Sequence, residues 1–139
     1  MIAPQADPVA TMIQSRTIAV VGASSDPRRA SNDVAKYLID AGYTVYLVNP
    51  TETEILGQRV YPSVRDLPEP VDIVDIFRRA EDVPPVVEDA IAAGAKCVWM
   101  QLEIVNEAAA ARAAEAGLVV VMDRCTKIEH RRWLAAQGR

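Results

Sequence analysis

The stretch Thr17-Ile18-Ala19-Val20-Val21-Gly22-Ala23-Ser24-Ser25 carries the main structural signal of this chain. A run of apolar residues comes first, and glycine and small residues follow it directly. Continuous apolar runs are typical of strands in a parallel sheet that is covered on both faces. Small residues after such a strand form a turn into a helix, where backbone N–H groups can approach a phosphate. The stretch therefore predicts a strand–turn–helix unit with an anion site at its turn.

A second signal is an Ala-Gly pair that recurs three times, each time between an amphipathic segment and a short apolar run. The pairs are Ala41-Gly42, Ala93-Gly94 and Ala116-Gly117. Glycine just past the end of a helix adopts a left-handed conformation at little steric cost. The pairs therefore predict three junctions at which a helix ends and a strand of the same sheet begins.

Together these units predict an α/β fold with a doubly wound sheet of five parallel strands. The predicted strands are 17–22, 44–48, 72–77, 96–100 and 118–122, and the predicted helices are 31–41, 83–93, 105–116 and 127–135. Ser31 or Asn32 is expected to cap the first helix, and the Pro-rich segment 51–71 to hold a short helix or none. Right-handed crossovers favour the strand order 3-2-1-4-5. That order places the ligand crevice between the first and fourth strands.

Length and charge limit the class of protein. The 139 residues fit one domain, and we expect a single domain over 1–139 with its core at about 15–134. The net charge of −4 disfavours non-specific binding of nucleic acid. The segment 1–8 lacks the features of a signal peptide, and no apolar run approaches the ~20 residues that span a bilayer. We therefore expect a cytoplasmic protein with neither nucleic acid nor membrane as a partner.

The residues that could carry chemistry are few. One histidine, His130, and two distant cysteines offer no zinc spacing, so no metal site is expected. His130 is expected to be a solvated or ion-paired helix residue, and Cys97 a core residue. Cys125 lies beside a cation, which favours a reactive thiol, but no base accompanies it in sequence. A packed small residue is therefore the favoured interpretation of Cys125, and Asp123 is a weak site candidate.

A nicotinamide dinucleotide site is disfavoured by the same stretches. The Gly-x-Gly-x-x-Gly fingerprint is absent because Ser24 and Pro27 stand at its second and third glycine positions. The acidic residue that binds the adenosine ribose after the second strand is also missing, and Val48-Asn49-Pro50 occupies that place.

Several short motifs, in order along the chain, resemble the bacterial CoA-binding domain family. Among them are Val20-Val21-Gly22-Ala23-Ser24, Val48-Asn49-Pro50, Phe77-Arg78-Arg79, Val98-Trp99-Met100-Gln101-Leu102 and Val121-Met122-Asp123-Arg124-Cys125. The resemblance covers about residues 15–134. It implies a Rossmann-like fold similar to the CoA-binding first domain of the succinyl-CoA synthetase α subunit. No residue of this chain matches the phosphorylated histidine that the synthetase carries in a second domain.

The resemblance also implies which residues bind the cofactor, coenzyme A. Carried over by position, they are Gly22, Ala23 and Ser24 at the pyrophosphate, Arg29 and Ser31 beside it, Asn49 and Pro50 at the adenosine end, Phe77, Arg78 and Pro84 on the neighbouring strand, and Met100 and Gln101 along the pantetheine arm.

We therefore expect a non-catalytic protein that binds the small molecule coenzyme A or an acyl-CoA. Two alternatives stay open. One is an enzyme of acyl or thiol chemistry that uses Cys125 or Asp123, and the other is a module that senses NAD(H) or another nucleotide. The acyl group and any protein partner are not specified by the sequence.

Overall fold

The computed structural model describes residues 6–138, which form seven strands and five α-helices around one sheet. The strands are β1 (Thr17–Val21), β2 (Thr44–Val48), β3 (Glu54–Ile55), β4 (Gln58–Tyr61), β5 (Ile73–Ile76), β6 (Cys97–Met100) and β7 (Val119–Val121). The helices are α1 (Pro8–Gln14), α2 (Ala30–Asp40), α3 (Val83–Ala92), α4 (Glu107–Glu115) and α5 (Thr126–Gln137). The predicted α/β, Rossmann-like class is confirmed.

The sheet order is β3-β4-β2-β1-β5-β6-β7, and every neighbouring pair is parallel except β3 and β4. The predicted five strands and the predicted order 3-2-1-4-5 are therefore wrong. Segment 72–77, taken as the third strand, lies beside β1, because β4 occupies the place next to β2. Strand β4 lies within the Pro-rich segment and buries only Val60, so it lacks the apolar run by which the other strands were found.

Strands β3 and β4 form a hairpin at one edge of the sheet. Leu56 and Gly57 connect them, and both residues adopt a left-handed backbone conformation, with φ of 53° and 72°. Two-residue turns of this kind match the twist of the strands that they join. The hairpin adds the one antiparallel pair to an otherwise parallel sheet.

The central strand β1 shows why its apolar run is continuous. Ala19 and Val21 pack with the residues of α3 and α4, whereas Ile18 and Val20 pack with those of α2 and α1. All four side chains are at most 4% exposed. Because neighbouring side chains of a strand point to opposite faces, both faces of the sheet must be covered by helices, as expected for a doubly wound sheet.

The predicted helices are confirmed to within two residues at each end, but the start of α2 differs in its chemistry. Arg29 is the residue before the first turn and makes no side-chain cap, so neither Ser31 nor Asn32 caps this helix. Asn32 instead donates from Nδ2 to the carbonyl oxygen of Ser24, at 2.8 Å. This bond ties the first turn of α2 to the turn that follows β1.

Helix α1 was not predicted. Asp7 caps it by accepting hydrogen bonds from the backbone N–H groups of Val9 and Ala10, at 2.9 and 3.2 Å. Its residue Met12 is fully buried, and the Met12 carbonyl accepts a hydrogen bond from the Tyr43 hydroxyl at 2.8 Å. The N-terminal segment therefore takes part in the core through Met12, and Ala6 packs against the same cluster.

The turn after β1 requires glycine. Gly22 has a φ of +88°, and a Cβ atom built on it would collide with the carbonyl oxygen of Phe77, the residue that follows β5. Gly42 has a φ of +102°, but nothing lies within 4 Å of a Cβ atom there. A comparison of the two glycines therefore separates two contributions to stability: the backbone conformation, which both require, and the close approach of another chain segment, which only Gly22 has.

We predict that Gly22→Ala destabilises the protein by about 1–3 kcal/mol more than Gly42→Ala does. Both variants carry the left-handed penalty, and only Gly22→Ala adds overpacking against backbone. Urea unfolding of both variants and the wild type measures the difference. Equal losses of stability in the two variants would mean that the backbone at Phe77 moves away from the new Cβ atom without a measurable loss of free energy.

Candidate functional site

A cavity of about 540 Å³ opens at the carboxyl edge of the sheet. It lies where the chain leaves β1 and β5 in opposite directions, which is the place where ligands bind in open α/β sheets. The sequence placed this crevice between the predicted first and fourth strands. That location is wrong by one strand, since β5, the predicted third strand, is the neighbour of β1.

Eight of the twelve residues proposed from the sequence line this cavity, and they come from three strand ends and the start of one helix. They are Gly22, Ala23, Ser24, Arg29, Ser31, Asn49, Phe77 and Arg78. The fold therefore brings together residues that are up to 56 positions apart in sequence. Whether they contact coenzyme A stays a prediction.

The other four proposed residues do not line the cavity. Pro50 and Pro84 are exposed elsewhere on the surface. Met100 is fully buried in the core, and Gln101 is 5% exposed, with its side chain directed to a buried polar cluster. Any effect of Met100 or Gln101 on a ligand in this cavity must therefore be indirect in the conformation described here.

The turn after β1 is anchored rather than open. The N–H groups of Gly22 and Ala23 both donate to the carbonyl of Val48, at 3.1 and 3.2 Å. The first turn of α2, by contrast, contributes Ala30 and Ser31 to the lining of the cavity. Amides in the first turn of a helix have no acceptor within the helix, because no helical carbonyl precedes them. The helix dipole adds positive potential at the same place.

Asn49 fixes the neighbouring wall. Its Nδ2 donates to the Ala23 carbonyl at 2.9 Å, and its Oδ1 accepts from the N–H groups of Thr51 and Glu52, at 2.8 and 3.1 Å. The Glu52 carboxylate in turn accepts from the N–H of Ser25 at 3.3 Å. From the sequence, an acidic group was considered only at positions 48–50, and Glu52 was not identified. The loop after β2 places Glu52 next to the turn after β1.

The charges around the cavity differ in whether they are paired. Arg28 is tied to Asp26 by two side-chain hydrogen bonds of 3.1 Å, and this pair lowers the pKa of Asp26. Arg79 pairs with Asp82 at 3.0 Å. Arg29 and Arg78 line the cavity and form no ion pair with any residue of the described chain. These two guanidinium groups are therefore available for an anionic ligand.

Four further residues line the cavity that were not assigned to the site from the sequence: Ala30, Arg79, Leu102 and Ile104. Leu102 and Ile104 lie in the loop between β6 and α4, and Leu102 is 50% exposed. Leu102 stands in one of the motifs that resemble the CoA-binding family, which is the one sequence signal that could have found it. The cavity thus has a cationic side near α2 and an apolar side near β6.

A buried polar cluster lies outside the cavity lining, where β5, β6 and α5 meet. Asp75 is fully buried, accepts a hydrogen bond from the Gln101 amide, and accepts a second from the Thr126 hydroxyl at 2.9 Å. Both carboxyl oxygens of Asp75 are therefore hydrogen-bonded. Burial raises the pKa of Asp75 to about 7, and the two hydrogen bonds only partly oppose that rise. Burial therefore favours the protonated carboxyl group up to a higher pH than for an exposed aspartate.

The candidate reactive groups are engaged or enclosed. Cys125 is 8% exposed, and burial raises the pKa of its thiol more than the N–H groups of Lys127 and Ile128 lower it. Cys97 is buried, as expected. His130 is 7% exposed, shares a 2.7 Å hydrogen bond with the Tyr37 hydroxyl and forms no ion pair among the described residues, so the expected solvated or ion-paired histidine is wrong. Asp123 accepts a hydrogen bond from the N–H of a loop residue.

Neither a candidate metal site nor a candidate membrane-spanning helix is found among residues 6–138. No group of three or more metal-ligating side chains of His, Cys, Asp or Glu is close enough to hold a metal ion. No helix in the same range has the length and apolar character needed to cross a bilayer.

The fold and the cavity define a small Rossmann-like domain with a cleft at the carboxyl edge of its sheet that arginine side chains line. Residues 16–131 match the family model described as the CoA binding domain. The chain belongs to this CoA-binding domain family, and the resemblance drawn from its motifs is confirmed.

The relatives include small proteins and a large enzyme. An uncharacterised protein of Bacillus subtilis is 43% identical over 117 residues, which are 84% of this chain and 87% of that protein. A hypothetical protein from Pyrococcus horikoshii has a solved structure with a TM-score of 0.89 and 44% identity, covering 92% of this chain and 90% of the other. An ADP-forming acetate–CoA ligase of Archaeoglobus fulgidus is 43% identical over 74 residues, 53% of this chain but only 11% of the ligase.

The buried carboxyl group generates a prediction about pH. The pKa of Asp75 in the folded state lies above the value of about 3.9 in an unfolded chain. Its contribution to the free energy of unfolding is therefore complete below pH ~4 and is lost as the pH rises through about 7. Asp75→Asn keeps the shape and the acceptor oxygen but cannot ionise.

We expect the wild type to lose on the order of 2–3 kcal/mol relative to Asp75→Asn between pH 5 and pH 8. Urea unfolding of both proteins at each pH measures this difference. Titration of His130 affects both proteins and cancels. Parallel pH profiles would show that Asp75 has an ordinary pKa.

Proposed function

We propose that this chain binds coenzyme A, free or acylated, in the cavity at the carboxyl edge of the sheet and catalyses no reaction on it. The observation that carries the proposal is that two arginines, Arg29 and Arg78, line the cavity and form no salt bridge with any of residues 6–138. Membership of the CoA-binding domain family supports the choice of ligand. The volume of about 540 Å³ lies in the range of small-molecule sites.

The pyrophosphate belongs, in this proposal, at the first turn of α2. Arg29, Ala30 and Ser31 line the cavity there, and so does Ser24, whose hydroxyl oxygen accepts a 3.0 Å hydrogen bond from the N–H of Asp26. Arginine forms two parallel hydrogen bonds with a phosphate, which fixes orientation as well as charge. Arg78 is the cation from the other side of the crevice, after β5.

The two ends of the ligand extend in opposite directions from that point. The adenosine end lies towards Asn49, whose hydrogen bonds hold the loop after β2 in place. The pantetheine arm lies towards β6, where Leu102 and Ile104 offer apolar surface. Met100 and Gln101 support this side from the core and do not touch the ligand.

Neither of the two candidate reactive groups, the Cys125 thiol and the Asp123 carboxylate, is placed to act on a ligand in the cavity. The Cys125 thiol is enclosed and has a raised pKa, which keeps it in the less nucleophilic protonated form. The Asp123 carboxylate accepts a 2.7 Å hydrogen bond from the Glu103 N–H. Neither residue lines the cavity. The acetate–CoA ligase relative matches this chain over 11% of its length, so its activity is not carried over. A cytoplasmic location is part of the proposal.

Coenzyme A is expected to raise the Tm of the protein more than NAD does. A ligand at a hundredfold excess over its Kd stabilises the native state by about 2.7 kcal/mol, which is a rise of several degrees in a domain of this size. The dinucleotide fingerprint is missing, so NAD at the same concentration should produce a smaller rise. Thermal unfolding with each ligand measures both.

A larger rise with NAD than with coenzyme A would overturn the choice of ligand. Free coenzyme A released from acetyl-CoA by the wild type, and not by Cys125→Ala, would overturn the non-catalytic part and favour the thiol enzyme.

We also predict that Arg29→Ala weakens the binding of coenzyme A roughly tenfold to a hundredfold, the usual scale for a charged hydrogen bond to phosphate. The matched control is Arg28→Ala, because the Arg28 guanidinium is 90% exposed and already paired with Asp26. Isothermal titration calorimetry at low and high salt measures both variants. The loss should shrink as salt rises. Equal losses in the two variants would mean that only general charge attracts the ligand.

A further inference from the structure

The loop between β6 and α4 contains a tight turn with an unusual residue in it. The N–H of Ile104 donates to the carbonyl of Gln101 at 2.9 Å, which places Leu102 and Glu103 at the centre of the turn. Glu103 has a φ of +67°. The third position of a turn with positive φ normally holds glycine, because other side chains collide with their own backbone there. The turn is therefore intrinsically unfavourable for this sequence.

A contact with the neighbouring loop compensates for this cost. Oδ1 of Asp123 accepts a 2.7 Å hydrogen bond from the backbone N–H of Glu103. Asp123 itself has a φ of +57°, a conformation that Asp tolerates better than most residues. Two strained residues from the loops after β6 and β7 thus meet through one charge-assisted bond. Strain of this kind persists only where the surroundings hold it, and it gathers at functional sites.

The residues on either side of Glu103 are the apolar wall of the cavity. Leu102 and Ile104 both line it, and Leu102 has little to hold it in place because half of its surface is exposed. Without the hydrogen bond to Asp123, the backbone at Glu103 would be free to change from a positive to a negative φ. That change would rotate Leu102 and Ile104 away from their present directions.

We propose that Asp123 is a positioning residue for the ligand: it holds the 101–104 turn so that Leu102 and Ile104 form the surface for the non-nucleotide arm of coenzyme A. The inference rests on the proposed function, and it adds a specific role for a side chain that does not touch the ligand. It also explains why the carboxylate points into a loop rather than into the cavity. The cationic wall at α2 is on a different loop and does not depend on Asp123.

The test compares two ligands that differ only in that arm. Coenzyme A and 3′-phosphoadenosine 5′-diphosphate share the nucleotide and the pyrophosphate, and only coenzyme A carries pantetheine. Each is titrated calorimetrically into the wild type, Asp123→Ala, Asp123→Asn and Glu103→Ala. Asparagine keeps an acceptor oxygen and tolerates positive φ. Glu103→Ala removes a side chain from the same turn and leaves its N–H, so it is the matched control.

We expect Asp123→Ala to bind coenzyme A about tenfold more weakly and to bind the nucleotide fragment within about twofold of the wild type. Asp123→Asn and Glu103→Ala should both stay within about threefold of the wild type for coenzyme A. Unchanged binding of coenzyme A by Asp123→Ala would overturn the positioning role alone. Equal loss of both ligands would also overturn it, because the effect would then be general. A wild type that binds neither ligand would overturn the proposed function, and this inference with it.

Discussion

The contact between the turn after β1 and the ends of its two neighbouring strands is the constraint on which the site depends. Gly22 lies against the Phe77 carbonyl, and the N–H groups of Gly22 and Ala23 share the Val48 carbonyl. One turn thereby fixes the relative positions of β1, β2 and β5, which are the strands that frame the cavity. The cost is that these amides are no longer available to an anion. The amides of Ala30 and Ser31, in the first turn of α2, are therefore the ones that the proposed function assigns to the phosphates.

The arrangement of charge at the cavity depends on which arginines are paired. The chain carries adjacent arginine pairs at 28–29 and 78–79, and in each pair one member is neutralised by a nearby carboxylate, Asp26 or Asp82. Arg29 and Arg78 line the cavity, and so does the paired Arg79. Pairing of exposed groups adds little stability, and it leaves Arg29 and Arg78 as the two lining guanidinium groups that form no salt bridge within the described residues. Unpaired cations in a crevice attract an anionic ligand more strongly than neutralised ones do.

The C-terminal helix shows how polar contacts can fasten an element to this fold. The buried residues of α5 are Thr126, Glu129 and His130, none of them apolar. Thr126 joins the Asp75 cluster at the carboxyl side of the sheet, and His130 bonds to Tyr37 of α2. Buried polar groups of this kind must be satisfied, and their geometry is therefore specific. Helix α5 is thus held to β5 through Thr126 and to α2 through His130, and it also packs against α1.

The sequence by itself determined the class of fold, the helices from α2 onward, and eight of the residues around the cavity, because apolar periodicity, glycine positions and family motifs are local properties. Tertiary structure decided the rest. Strand β4 is recognisable only by its partner β2, since a four-residue strand with one buried side chain has no pattern of its own. Likewise, Arg28 and Arg29 are equivalent in sequence, and only the folded turn brings Asp26 to one of them. The outward or inward direction of Met100, Gln101 and Leu102 was also undetermined, because it depends on where β6 ends and on the bond from Asp123 that shapes the following turn.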